Sequence, residues 1–441
     1  MGFVDAMSQP LDRAAAARSP DCDPARALDV LVTAAILLFT NGQTSERTTE
    51  YVERLATALG FSARVFLRWD GVTIAIENGG GVASTTVEAR PVGIEMGKVA
   101  VATKLIDDFC DHPSTPELLR SALARVQARP PVSLIRFASF AAIGAAALGI
   151  IFGAAHVASL IVIAVSAGLG ACLRRWIAGR SHNPFAQPLA AALLAGAIGA
   201  LVVDLQFSSS LQRLVAVCPC MVLVPGPHVL NGTIDLARGR LALGICRVVY
   251  ASLIIFSICI GLLAGLSFGG ANLPASAPSP PVPLIYDVIA AGAAVSAYGT
   301  FFSMPWRMLP VPILIGMFAH GVRWALLAKA GVSLAGAAFI ACLIVGAITT
   351  PVAERLRLPY AGLAFASVVS LIPGVFLFRM ADGLLELVAS GGNVSGLLQA
   401  TLADGINAFL ITLAITLGLI LPKMLIGYHF DKRFTASGRS A

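Results

Sequence analysis

The sequence predicts a polytopic α-helical membrane protein: about ten transmembrane helices as two inverted five-helix repeats, with a small N-terminal α+β domain on the cytoplasmic side. Three observations carry that expectation. From Phe137 to Pro422 there are 286 residues but only twenty Asp, Glu, Lys or Arg, and Phe137–Leu173, Val248–Tyr286 and Ala330–Ala353 contain none. A bilayer core is crossed by about 20 consecutive apolar residues in a helix. Backbone polar groups find no water there, so only helices or closed barrels cross it. These tracts are too long and too evenly apolar for barrel strands, which alternate with period two. Composition agrees: 57% of residues are hydrophobic and the mean hydropathy is +0.82, beyond soluble globular values. Charge is the third observation. Residues 1–130 carry 13 basic and 16 acidic side chains, and residues 131–441 carry 18 basic and 8 acidic. A basic excess among membrane loops sets orientation in a bilayer. Nucleic-acid binding would need a clustered basic patch with interleaved aromatics, and the sequence holds none.

Residues 1–24 are polar and lack the apolar core of a secretory signal, so they read as a disordered lead-in. Residues 25–130 read as the compact α+β domain. Ala27–Thr40 is a helix-forming run stopped at Asn41-Gly42, and Thr44–Leu59 restarts with helical period and ends at Gly60. Arg64–Trp69 alternates as a strand, Asp70-Gly71 reads as a type I′ turn, and Val72–Ile76 returns. Asn78–Gly81 is a second turn and Ala83–Arg90 a third strand. Glu95–Phe109 and Pro116–Ala128 close the domain as helices, and Arg129-Pro130-Pro131 is its boundary.

The remainder accommodates spans at about 133–153, 157–173, 184–203, 212–232, 245–268, 284–304, 309–328, 331–351, 361–385 and 398–422. These form a first unit (131–268), an outer loop (269–283), a second unit (284–425) and a tail (426–441). Arg174, Arg175, Arg180, Arg238, Arg240, Arg307, Arg355 and Arg357 fall in inner loops, and Lys423, Lys432, Arg433 and Arg439 in the tail. The outer loops receive Arg213, Arg323 and Lys329. That asymmetry places both termini in the cytoplasm of a bacterial-type inner (plasma) membrane.

An internal echo supports the repeat. Val222-Leu-Val-Pro225-Gly226 in the fourth span is followed by Asp235, and Ser370-Leu-Ile-Pro373-Gly374 in the ninth by Asp382. Two five-span halves must lie in opposite orientations because five is odd. In carriers built this way the substrate sits where the halves meet. Proline removes a backbone donor, and the freed carbonyls must find partners or line a wet cavity. Pro225, Gly226, Pro373 and Gly374 are therefore candidate substrate-binding positions, with Asn231 and Asn407 as amide donors.

Carboxylates inside spans are costly and face a partner or a cavity, which makes Asp235, Asp382 and Asp404 candidates for proton coupling or gating. Spacing pairs Asp235 with Arg238, and Arg379 with Asp382. Asp404 has no base in its own span and reads as a lone carboxylate. Asp204 and Asp287 read as boundary residues at outer ends, and His228 as a satisfied histidine. Cys218-Pro-Cys220 is the one close cysteine pair, too few ligands for a metal shell, and no metal or cofactor is expected. GxSxG, HExxH and Walker A motifs are missing, so no catalytic residue is assigned.

Val224-Pro225-Gly226-Pro-His-Val-Leu-Asn231-Gly-Thr-Ile-Asp235-Leu-Ala-Arg-Gly239 resembles the signature of the threonine/serine exporter family. Gly42-Gln-Thr-Ser45-Glu-Arg47 before an amphipathic helix resembles it too, and Leu371-Ile-Pro373-Gly374 its second unit. One departure is Thr49, where the family has an acid; here the acid is Glu50. The resemblance implies a cytoplasmic domain and two five-span units. It also implies export of threonine and serine driven by the proton-motive force, with small dicarboxylates such as succinate an alternative cargo. Arg238 and Arg379 would then be the cavity cations. A membrane-anchored hydrolase or sensor, using Ser45, Arg47 and Glu50, is a further alternative. The expected partners are the small-molecule substrate, protons and the bilayer, with a homo-oligomer admissible.

Overall fold

A computed structural model of the chain describes residues 23–78, 81–154, 156–204, 209–269, 282–356, 358–389 and 395–437. Expectations placed on residues 1–22, the loop 270–281 and Arg357 lie outside the described residues. So do those on the side chains of Asp204, Arg213, Lys432, Arg433 and Arg439. Helix α1 (Pro24–Thr40) starts where the Asp23 side chain accepts the Ala25 N–H at 3.3 Å, with Pro24 in its first turn. Both features favour a helix start. Helix α2 (Ser45–Ala58) is capped by Thr44, which accepts the Arg47 N–H at 3.4 Å. An antiparallel sheet follows in the order β1 (Ser62–Leu67), β2 (Gly71–Asn78), β3 (Gly81–Glu88). Val72, Ile74 and Ile76 alternate inward from β2 and are buried with the apolar face of α1. Helices α3 (Met96–Asp111) and α4 (Pro116–Gln127) complete the domain.

The first hairpin departs from the expected turn. Leu67 pairs with Val72, so the two-residue loop is Trp69-Asp70, one position ahead of Asp70-Gly71. Gly71 is needed for another reason: a Cβ there would stand 2.8 Å from the Val87 carbonyl oxygen of β3. The shift carries the Trp69 ring to 5.1 Å from Tyr250 in the membrane region.

Among the described residues, seven helices are long and apolar enough to cross a bilayer, two bent pairs qualify together, and Ala186–Val202 is a shorter apolar helix. That gives seven spans, or nine if each bent pair is one, where ten were expected, and Ala186–Val202, at the expected third span, is the one too short to pass. The first half comprises α5 (Leu134–Ile151), α6 (Val157–Ala178), α7 (Ala186–Asp204), the pair α8 (Ser209–Met221) and α9 (Gly226–Ala237), and α10 (Leu241–Ser267). The second comprises α11 (Leu284–Phe301), α12 (Pro310–Ala328), α13 (Leu334–Arg355), the pair α14 (Tyr360–Val368) and α15 (Gly374–Ala389), and α16 (Ser395–Ser437).

Each half repeats the same set of neighbours. The third and fifth helices form the most extensive seam, α7 on α10 and α13 on α16, and the first half of the broken helix touches the first three helices. Both seams are drawn tight by glycine. A Cβ at Gly265 would lie 2.7 Å from the Ala197 backbone nitrogen, and one at Gly418 would lie 2.8 Å from the Phe339 carbonyl oxygen. Small residues let helix backbones approach in lipid, where packing replaces the hydrophobic effect.

The first helices of the halves are also twins. Both start Leu-Ile, both are 18 residues long, and both end on Phe, at Phe152 and Phe302. The next residue is left-handed in each, Gly153 at φ 89° and Ser303 at φ 56°. The same bonds follow: Ala154 N–H to Gly149 C=O at 2.8 Å, Met304 N–H to Gly299 C=O at 2.9 Å. That is a left-handed helix cap, ordinarily built on glycine.

The domain rests on one end of the bundle. The Met96 N–H donates to the Phe302 carbonyl at 2.9 Å, Arg47 meets Glu354 at 3.2 Å, Glu46 pairs with Arg238, and Lys423 lies 3.8 Å from Glu46. The ends of α9, α11 and α13, and Lys423 of α16, therefore gather on the domain side.

Candidate functional site

The two broken helices meet. The first bends by 52° between α8 and α9, the second by 62° between the α14 segment and α15. Pro225 caps α9, and Gly226 is its first residue. A Cβ at Gly226 would overlap the ring of Phe365 on α14, and one at Gly374 would lie 3.1 Å from Met221 Cγ on α8. Each glycine thus admits the other half's broken helix. The carbonyl of Met221, at the break, accepts a hydrogen bond from the Tyr298 hydroxyl of α11 as well as the Val224 N–H at 3.4 Å. Between the breaks lies a cavity of about 60 Å³, lined by Gly226, Phe365 and Pro373, with Thr412 and Thr416 as its polar walls. That is room for a few waters.

Larger cavities lie on either side of this seam. On the domain side, about 480 Å³ is enclosed by Pro225, His228, Tyr250, Arg174, Arg175, Phe301 and Phe302, with Val92–Glu95 of the domain across its mouth. On the far side, about 110 Å³ is enclosed by Arg323, Ser370, Pro373, Phe376 and Phe152. The domain-side volume falls within the range of small-ligand sites. His228 is buried, with its ring 5.2 Å from Tyr250 in an edge-on contact, and it lines this cavity.

The signature residues Asn231 and Asp235 point elsewhere. Asn231 is buried and donates to the Gly42 carbonyl at 3.2 Å, while its own Oδ1 has no hydrogen-bond partner. Asp235 was expected to pair with Arg238. Its carboxylate instead lies 3.3 Å from Arg247 Nε of α10, accepts the Ser45 hydroxyl at 3.0 Å and lies 3.7 Å from Arg240. Arg238 caps the end of α9, off its helical face, and reaches Glu46. Arg247 is fully buried and lies over the Phe39 ring at 5.4 Å. Removing either member of a buried ion pair strands the other, at a cost of about 3–5 kcal/mol. The Gly42–Arg47 segment is therefore the plug by which the domain is fixed to the broken helix. Ser45, Arg47 and Glu50 are engaged there: Arg47 spans Glu50 at 3.0 Å and Glu354 at 3.2 Å.

In the second half, Asp404 is not alone. Arg379 of α15 stands 2.9 Å from it, a partner from a different helix that spacing along one span could not reveal. Asn407 is half-buried one turn further on, and Asp382 is buried on α15. Asp287, expected as a boundary residue, is buried and bonded to the fully buried His320 at 2.9 Å. Among the described residues no cluster of three or more His, Cys, Asp or Glu is placed to hold a metal. Sequence reasoning missed Arg247, Glu46 and Tyr298. Arg247 had a signal, as the one charge in an otherwise apolar span; the other two had none.

Residues 29–269 match a family model described as a threonine/serine exporter, and residues 287–425 match a second, "Threonine/Serine exporter, ThrE". No solved structure matches the chain.

Proposed function

The chain belongs to the threonine/serine exporter family, and from that premise we propose that it exports threonine and serine across an inner membrane by alternating access, driven by the proton gradient. The observation that supports this reading is the unequal pair of cavities, about 480 Å³ on the domain side and about 110 Å³ on the far side, divided by the paired helix breaks. Inverted repeats exchange conformations, so the smaller cavity of one state becomes the larger of the other. With the domain in the cytoplasm, the larger cavity is the one that fills from inside. Asp404 and Arg379 form an ion pair that a proton can break, and Asp382 and Asp235 are the other carboxylates near the breaks.

Efflux from cells preloaded with a threonine- or serine-containing dipeptide tests the reading. Asp404→Asn is expected to slow efflux by roughly tenfold or more, the scale of losing a charge-assisted bond. Unchanged efflux in Asp404→Asn, Asp382→Asn and Asp235→Asn would remove all three from the mechanism. Absent efflux with the wild type would remove the substrate.

A second reading, dicarboxylate export, is favoured by the lining of the larger cavity, where Arg174, Arg175 and His182 stand with Glu95 as the one acid. Competition between succinate and threonine in proteoliposomes separates the two.

A further inference from the structure

We propose that the transported molecule is held by its carboxylate on an arginine of the second helix in each half, Arg174 in the domain-side cavity and Arg323 in the far-side cavity. This assignment deepens the transport reading above and rests on it.

The helices correspond. Α6 closes on Leu173-Arg-Arg-Trp176 and α12 on Gly321-Val-Arg-Trp324, and 148 residues separate Trp176 from Trp324, as they separate Pro225 from Pro373; in that register Arg323 matches Arg175, and Arg174 stands one position before it. The surroundings correspond as well. Arg174 shares its cavity with Pro225 of its own half and with Phe301 and Phe302, which end the first helix of the other half. Arg323 shares its cavity with Pro373 of its own half and with Phe152, which ends the first helix of the other. Each arginine therefore sits between the break that must open and the helix end against which it closes.

Both cavities also hold polar atoms with nothing to bind. Arg174 Nε and Ser370 Oγ are buried without a hydrogen-bond partner. Arg175, by contrast, donates to the Val132 carbonyl at 2.9 Å. Aromatic faces hold the Arg174 guanidinium, which lies 4.5 Å from the Phe301 ring centre and 5.7 Å from that of Phe137. A guanidinium held against aromatic faces keeps its planar fork of N–H donors, the chemistry that takes both oxygens of a carboxylate. A lysine there would keep the charge and lose the fork.

The test uses the full chain in proteoliposomes of known orientation, with serine, threonine, succinate and serinamide as probes. In the wild type, serinamide, lacking the carboxylate, is expected not to compete. Arg174→Ala and Arg174→Lys should each raise KM for cargo offered on the domain side by about 10–100-fold, with the far-side KM unmoved. Arg323→Ala should do the reverse. Competition by serinamide equal to that by serine, or a domain-side KM unchanged by both Arg174 variants, would overturn the assignment. Transport of succinate alone would sink the amino-acid reading and leave the side-specific arginine effects standing. A second measurement does not depend on transport. Phenylglyoxal modification of Arg174, read by mass spectrometry on the wild type, should be slowed by serine or succinate and not by serinamide. Absence of protection by either carboxylate would overturn the proposal.

Discussion

Ser303 is the single non-glycine residue with a left-handed backbone among those described, at φ 56°, and its twin in the other half is Gly153. A left-handed conformation costs an L-residue about 1–2 kcal/mol. Replacing it by glycine loosens the unfolded chain by about 0.4–1 kcal/mol. Ser303→Gly should therefore raise stability by up to about 1 kcal/mol, seen as a higher melting midpoint in detergent. A lower midpoint would mean that the serine is unstrained. Ser303 lines the domain-side cavity, so the same variant reports whether strain at that wall matters for export. At this scale the sequence was partly legible. Gly226 and Gly374 could be picked out because a Pro-Gly pair in a span must break it. The reason Gly226 must be glycine, the Phe365 ring from the other half, lies far off in the chain and left no local mark. Asp235 showed its burial through its position, but not its partner, since spacing along one helix names only neighbours on that helix.

At the scale of elements, apolar tract length is a strong signal, so the seven to nine spanning helices among the described residues fell close to where spans were expected. The strand hairpin was legible except for its turn, which lies one residue earlier than the Asp70-Gly71 pair suggested. Helix seams were invisible, because glycine in a span reads equally as kink, seam or filler. Gly261 makes the point. A Cβ there would stand 3.0 Å from the Leu193 backbone nitrogen, so Gly261→Val must push α10 off α7. The expected outcome is a loss of about 1–3 kcal/mol from overpacking, with a matching loss for Gly418→Val on the α13–α16 seam. Unaltered melting midpoints for both would show that neither seam is close-packed.

For the whole molecule, the repeat inferred from two short Pro-Gly motifs extends to neighbour pattern, glycine seams and helix caps. The domain was legible as a separate folded unit, yet nothing in its sequence announced that Ser45 would complete a buried ion pair in the membrane half. That contact imposes an order of manufacture. Domains generally fold as units, N-terminal first, while the chain is still being made, so the Gly42–Arg47 plug is ready before Asp235 and Arg247 leave the ribosome. A circular permutant with the domain moved to the C-terminus would expose that carboxylate and guanidinium until synthesis ended. Its yield of membrane-inserted protein, measured by quantitative blotting, should fall well below that of the native order, and an equal yield would show that the plug can arrive late without penalty.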